Sequence, residues 1–124
     1  PDHFISDMYS KLSYGFFFTP KTLLNILKTK DEILAQGELL SVKLISSLLN
    51  KEGIKASSVD ARELIKTDGV FGNAQPISQL SKDNVKKHYK QTGSDVVNIV
   101  TGFIASNAKN ETTTLGRNGS NYTA

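Results

Sequence analysis

The run Thr112-Thr-Thr-Leu-Gly-Arg-Asn-Gly-Ser-Asn-Tyr-Thr-Ala124 holds the residues best suited to chemistry. Gly116 and Gly119 bracket Arg117, so the backbone can bend tightly and approach a ligand while a guanidinium sits in the same loop. Ser120 reads as a helix N-cap with the N–H groups of Tyr122 and Thr123 behind it. Backbone donors, a hydroxyl and a fixed positive charge converging on one point suit a carboxylate or a phosphate. A second candidate is Gln36-Gly-Glu-Leu-Leu-Ser41. Gly37 weakens the head of a strongly apolar helix and Glu38 stands in its first turn, which fits either a functional carboxylate beside a closely approached backbone or an ordinary glutamate on the helix dipole. Asp60-Ala-Arg62, at a strand end, reads first as a structural ion pair or turn.

Other chemistries lack their residues. No glycine-rich stretch ends in Gly-Lys-Ser/Thr and no Gly-x-Gly-x-x-Gly occurs, so the standard nucleotide fingerprints are missing. His3 and His88 have neither carboxylates nor a second histidine at ligand spacing, which disfavours a zinc site or a histidine-based triad and leaves both as solvent-exposed side chains. There is no cysteine, hence no disulfide framework or thiolate metal site; a reducing cytoplasm is compatible with this. The formal charge of +3 arises from 15 basic and 12 acidic residues that are interspersed, too weak a signal for a nucleic-acid partner. Lys82, Lys86, Lys87 and Lys90 lie along one polar helix near Tyr89 and read as a solvated face. No apolar run approaches the length of a membrane span.

These candidates need elements to hold them. Phe4 to Leu12 has helical spacing and reads as the tail of a helix. Thr19-Pro20 is a helix start followed by an apolar face at Leu23, Leu24, Ile26 and Leu27. A second helical stretch is expected from Glu38 to Glu52, with Leu40, Leu44, Ile45, Leu48 and Leu49 as its stripe and Gly53 at the left-handed cap. Ile54 to Asp60 reads as a strand, Thr67-Asp-Gly69 and Gly72-Asn73 as turns, and Ser81 to Gln91 as a polar helix capped by Ser81, with Asp83 and Asn84 in its first turn. Asp95 to Thr101 is the clearest strand, ending at Gly102. Glu111 to Leu115 should pair in a hairpin with the segment after Gly102, through a turn at Asn107-Ala-Lys-Asn110. The alternation predicts α/β layers, with Gly102-Phe-Ile-Ala105 and Gly116 to Ser120 just beyond strand ends, where open α/β sheets place ligand crevices. The last helix, begun near residue 121, has no body within the chain, and the chain starts at Pro1; both fit a polypeptide cut from a longer one.

Taken in order, these motifs resemble the aspartokinases of the amino acid kinase family. That family shows Ser-x-Gly-Glu-x-x-Ser, Asp-Ala-Arg, Thr-Gly-Phe-Ile-Gly and Thr-Thr-Thr-Leu-Gly-Arg-Gly-Gly-Ser-Asp-Tyr-Thr-Ala. Here they stand as Ala35 to Ser41, Asp60 to Arg62, Thr101 to Ala105 and Thr112 to Ala124. The resemblance implies part of a three-layer α/β/α sandwich, truncated at both ends, with residues 1–124 forming the central, amino-acid-binding portion of the catalytic domain. It implies phosphoryl transfer from ATP, with Mg2+, to the β-carboxylate of L-aspartate, giving 4-phospho-L-aspartate, the entry to lysine, threonine and methionine.

By the same resemblance Glu38 holds the substrate's α-ammonium and Arg117 pairs with a carboxylate, while Ser120 and Asn121 complete the pocket beside Phe103. Gly102, Gly116 and Gly119 keep the backbone close to substrate and phosphates. Asn121 stands where the family has aspartate, Asn118 and Ala105 where it has glycine, and Ala35 where it has serine. The Lys-Phe-Gly-Gly run that supplies a phosphate-binding lysine, the adenine and ribose segment and the regulatory ACT domains are absent from these residues, so the polypeptide alone is expected to be inactive. A homo-oligomeric, cytoplasmic parent is implied, with no nucleic-acid or membrane partner. Leu23, Leu27, Leu44 and Leu48, with Phe16 to Phe18, are expected to lie open where other parts of the parent would pack. Two rival readings are a sister kinase acting on glutamate or an acylated glutamate, and a basic nucleic-acid-binding module.

Overall fold

The computed structural model describes Ile5, residues 19–117 and residues 119–124. His3, Phe16 to Phe18, Asn118 and, apart from Ile5, the helix expected over Phe4 to Leu12 lie outside the described residues.

Helix α1 runs Pro20–Lys51, and local chemistry sets both of its ends. Thr19 is the N-cap: its Oγ1 accepts from the Thr22 N–H at 3.1 Å, and Pro20 occupies a first-turn position where no N–H is needed. At the other end Gly53 adopts φ +84°, the Gly53 N–H donates to Asn50 O at 3.1 Å and the Ile54 N–H to Leu49 O at 2.9 Å. This paired closure satisfies carbonyls that the helix would otherwise leave open. The two helical stretches expected from sequence are therefore one 32-residue helix. Nothing between Leu27 and Glu38 breaks it, and the penalty of about 1 kcal/mol for Gly37 is small beside the packing of so long a helix. The buried face carries Leu23, Asp31, Ala35, Val42 and Ser46.

Strand β1, Ala56–Val59, pairs in parallel with β2, Val97–Val100, in the register Ala56 with Val97 and Val59 with Val100. Both are shorter than the apolar runs suggested, and β2 is only partly buried. Asp60 then caps the short helix α2, Ala61–Leu64, through a 3.0 Å bond from the Arg62 N–H. The hairpin forms as expected, with β3, Ile104–Ser106, antiparallel to β4, Thr112–Thr114. Its turn is held by Asn107, whose Oδ1 accepts from the N–H groups of Lys109 at 3.0 Å and Glu111 at 2.9 Å. Val59, Ala61, Leu64, Ile65, Ala105 and Leu115 form the core, with Val85 and Val100 packed against it. Helix α1 packs across β1, β2 and β4, α2 packs on β3, and the architecture is mixed α/β, as expected.

Helix α3 runs Ser78–Gln91, one turn earlier than the sequence suggests. Ile77 takes the N-cap position without a side-chain bond, and Ser81 is a buried helical residue whose Oγ accepts from the Lys66 N–H at 3.2 Å. Ser81 fastens the helix to the backbone of Lys66 rather than capping it. Asp83 falls in the second turn, bonded to Gln79, and Asn84 donates to Leu64 O. His88 is half-buried rather than exposed, with Nε2 at 3.5 Å from Asn98 Oδ1, while Lys82, Lys86, Lys87 and Lys90 are exposed as expected. Leu23 is buried at 5% exposure, because the first half of α1 packs over β4, whereas Leu44 at 57% and Leu48 at 63% are open. Of the four leucines expected to lie open, Leu44 and Leu48 do, Leu27 is half-buried and Leu23 is covered, while Leu24 and Ile33 are open apolar side chains of the first half. No helix among the described residues is long and apolar enough to cross a membrane.

Candidate functional site

A cavity of about 340 Å³ opens between the first half of α1, the Phe71-Gly72 turn and the segment that follows β4. Leu27, Lys30 and Leu34 line it from α1, Phe71 and Gly72 from the turn, and Thr114, Leu115, Gly116 and Arg117 from the end of β4. Phe103, Gly119 and Ser120, with Ile5, complete the wall. Five of the eight site residues expected from sequence, drawn from two separate motifs, therefore meet at one opening.

The remaining three stand apart from that lining. Gly102 lies directly behind Ser120: a Cβ on Gly102 would come within 2.8 Å of Ser120 Oγ. Asn121 is exposed on α4, Gly119–Thr123. Glu38 is half-buried on α1, one turn beyond Leu34 and on the same face. It belongs to a helix interior, not to a first turn, so the dipole explanation for it falls away; at Gly37 a Cβ would meet nothing within 4 Å. Ser120 is likewise inside α4 and not its N-cap, since the helix already includes Gly119 and the Ala124 N–H donates to Ser120 O at 3.2 Å.

Gly119 is required for packing space, since a Cβ there would sit 2.5 Å from Leu115 Cβ; a Cβ on Gly116 would meet the amide end of the Asn73 side chain, which can turn away. Phe103 carries a different constraint. Its φ of +68° is left-handed, uncommon for a bulky side chain, and it is held by Ile104 N–H to Gly102 O at 2.8 Å and Leu115 N–H to Phe103 O at 2.8 Å. Such a conformation costs on the order of 1–3 kcal/mol and persists where neighbours over-determine it, often at a binding site. Phe103 is thereby aimed at the cavity.

Asp31 was not singled out by sequence, and it is the most heavily bonded side chain near the cavity. It is fully buried; Oδ2 accepts from the Gly72 N–H at 2.8 Å and the Thr114 N–H at 3.0 Å, and Oδ1 from the Thr114 hydroxyl at 2.9 Å. The available signal was register: Asp31 is four residues from Leu27 and from Ala35, on the apolar face of the helix.

The two arginines of the motifs have opposite surroundings. Arg62 forks onto Asp60, with Nη2 to Oδ2 at 2.6 Å and Nε to Oδ1 at 3.0 Å, and its Nη1 donates to Thr112 Oγ1 at 3.0 Å. Hydrogen bonding to Asp60 raises its pKa further. The structural reading of Asp60-Ala-Arg62 holds. Arg117 is exposed at the cavity rim and makes no ion pair among the described residues. An unpaired guanidinium beside an aromatic wall and a hydroxyl can take a small carboxylate.

The amino acid kinase family profile matches residues 2–124. The chain belongs to the amino acid kinase family. Among its relatives is lysine-sensitive aspartokinase 3 of Escherichia coli, 38% identical over 95 residues that cover 76% of this chain and 21% of that protein. Chloroplastic aspartokinase 1 of Arabidopsis thaliana is 38% identical over 102 residues, covering 79% of this chain and 18% of the relative. The chain thus spans about a fifth of the length of these relatives. Among solved structures, Escherichia coli aspartokinase III in complex with aspartate and ADP superposes with a TM-score of 0.74 at 34% identity, covering 79% of this chain and 22% of that one. The amino acid kinase fold is common to both.

Proposed function

We propose that residues 1–124 form the amino-acid-binding portion of an aspartate kinase catalytic domain. The observation that carries this reading is the convergence of Phe103, Gly116, Arg117, Gly119 and Ser120 on one cavity, in a chain that superposes on a relative solved with aspartate and ADP. The reaction is transfer of the γ-phosphoryl group of ATP to the β-carboxylate of L-aspartate, giving 4-phospho-L-aspartate, the first step toward lysine, threonine and methionine, in a cytoplasmic homo-oligomer.

In this reading Arg117 pairs with the α-carboxylate of the substrate in a forked, charge-assisted contact. Phe103 excludes water along one side, and the Ser120 hydroxyl orients the amino acid. Glu38, one turn past the cavity wall, receives the α-ammonium; Asn121 contributes a neutral amide where an aspartate is usual. Gly102, Gly116 and Gly119 keep the loop compact enough for backbone to border the phosphates. Positioning and neutralisation of charge are the principal demands of phosphoryl transfer. The described residues include no cluster of three or more His, Cys, Asp or Glu side chains that could hold a metal. Bound together with the nucleotide, Mg2+ would supply charge neutralisation at the phosphates. The phosphate-binding lysine and the adenine cradle come from outside these 124 residues, so the isolated polypeptide does not turn over.

The test is an ATP-dependent hydroxamate assay on the full-length protein that carries these residues, with L-aspartate and L-glutamate in parallel. Aspartyl hydroxamate is expected from the full-length protein and none from residues 1–124 alone. Preference for glutamate, or no acyl phosphate from the full-length protein, would overturn the substrate assignment.

A further inference from the structure

Among the segments that wall the cavity are three distant in sequence: the first half of α1, the Phe71-Gly72 turn and the end of β4. One carboxylate is bonded to two of them from the third. Asp31, on α1, accepts the N–H of Gly72 and both the N–H and the hydroxyl of Thr114. Gly72 and Thr114 are themselves lining residues, and Thr114 leads through Leu115 into Gly116 and Arg117. Asp31 is fully buried and does not line the cavity, so it acts from behind the wall. The Phe71-Gly72 turn adds its own constraint, because Gly72 holds φ +83° and presents its N–H inward to the carboxylate.

We propose that Asp31 is a positioning residue for the amino-acid site: its three hydrogen bonds set the separation of α1, the Gly72 turn and the Arg117 loop, and hence the width of the cavity. This rests on the reading of the cavity as the aspartate site. Loss of the carboxylate takes the acceptor from the buried Thr114 N–H and the part-buried Gly72 N–H, at a cost that favours rearrangement of the wall over retention of its shape. Geometry also says which variant should survive. In Asp31→Asn the amide oxygen can take both N–H donors where Oδ2 now stands, and the amide NH2 can donate to the Thr114 hydroxyl, which is able to accept. The hydrogen bonds are thus retained with the charge removed. Thr114→Val deletes a single bond, that to Oδ1.

Steady-state kinetics of the full-length protein test this. In Asp31→Ala the KM for L-aspartate should rise on the order of tenfold or more, as expected for displaced binding groups, with the KM for ATP unchanged. Thr114→Val should raise the aspartate KM by a smaller factor, and Asp31→Asn should stay within about twofold of wild type because its partners remain satisfied. Hydrogen exchange at the Gly72 and Thr114 amides should accelerate in Asp31→Ala and not in Asp31→Asn. If Asp31→Ala does not fold, Thr114→Val and Asp31→Asn carry the test. Unchanged aspartate KM in both Asp31→Ala and Thr114→Val, parallel rises for ATP and aspartate, or an Asp31→Asn protein as impaired as the alanine variant would overturn the proposal. A wild-type protein that does not phosphorylate aspartate overturns the functional reading, and this proposal with it; wild-type turnover with an unmoved aspartate KM in the variants overturns this proposal alone.

Discussion

Arg62 and Arg117 are the same residue type in two motifs of one chain, and the fold uses them oppositely. Arg62 is half-buried, forked onto Asp60 and bonded to Thr112, so its charge is already paired within the fold. Arg117 stands exposed at the rim of a cavity without an ion pair among the described residues. The difference teaches that a motif arginine is left available to a ligand only when its own neighbourhood withholds a carboxylate. Asp60, two residues before Arg62, supplies one; the loop from Gly116 to Ser120 contains none.

Substitution separates the two roles. The largest effect is expected for Arg117→Ala in the full-length protein: truncating one partner of a charge-assisted pair should lower kcat/KM for aspartate by about 10²–10³-fold. Its melting temperature should stay close to wild type, since an exposed side chain contributes within about 0.5 kcal/mol. A large loss of stability there would erase the contrast. Arg62→Ala should do the reverse, costing about 1–3 kcal/mol because Asp60 is left partly buried beside an unpaired Thr112 hydroxyl. Denaturant titration reads that loss, and the surviving folded protein should keep the wild-type aspartate KM. Arg117→Lys keeps the charge and loses the fork, so a fall of about tenfold in kcat/KM is expected, between wild type and alanine.

The smallest effect concerns a half-exposed pair that ties α1 to the residue before β4. Lys28 Nζ lies 2.8 Å from Glu111 Oε2. Hydrogen bonding to Lys28, and then to Asn107, holds the Glu111 carboxyl below its ordinary value of 4.5. Hydrogen bonding to Glu111 holds Lys28 above 10.5. A lowered carboxyl pKa contributes stability that is present above pH 4.5 and lost as pH falls through the folded value. A raised lysine pKa contributes stability present below pH 10.5 and lost as pH rises through the folded value. The pair is therefore intact across the neutral range. Melting temperatures of Glu111→Gln and wild type should converge at acid pH and differ slightly near pH 7; a constant gap from pH 3 to pH 8 would show that the charge is not involved.

Rules acting over a few residues were legible in the sequence. Thr19-Pro20 starts a helix and Gly53 ends one because caps depend on hydroxyl, ring and φ at adjacent positions. The Asn107 turn predicts the β3–β4 hairpin for the same reason. Ser81 misleads because a serine reads alike whether it caps a helix or lies buried against Lys66 O and N–H, and only the position of the neighbouring strand distinguishes the two. Ser120 misleads similarly, one residue into α4. Gly37 misleads about Glu38, because a glycine that reads as a helix head is tolerated inside a long packed helix.

By itself the sequence determined neither the continuity of α1 nor the short helix Ala61–Leu64, but it did determine most helix ends and the hairpin, the ordered motifs that mark the amino acid kinase family, and the identity of the charged group at the candidate site. These follow from interactions between residues close in the chain, or from the residue types themselves. Only the tertiary structure decided that Arg117 is available and Arg62 is not, that Phe103 is held left-handed, and that Asp31 joins α1 to Gly72 and Thr114, 41 and 83 residues away. A buried carboxylate is stable only when donors surround it, and donors from distant segments are brought together by packing, which no local pattern encodes.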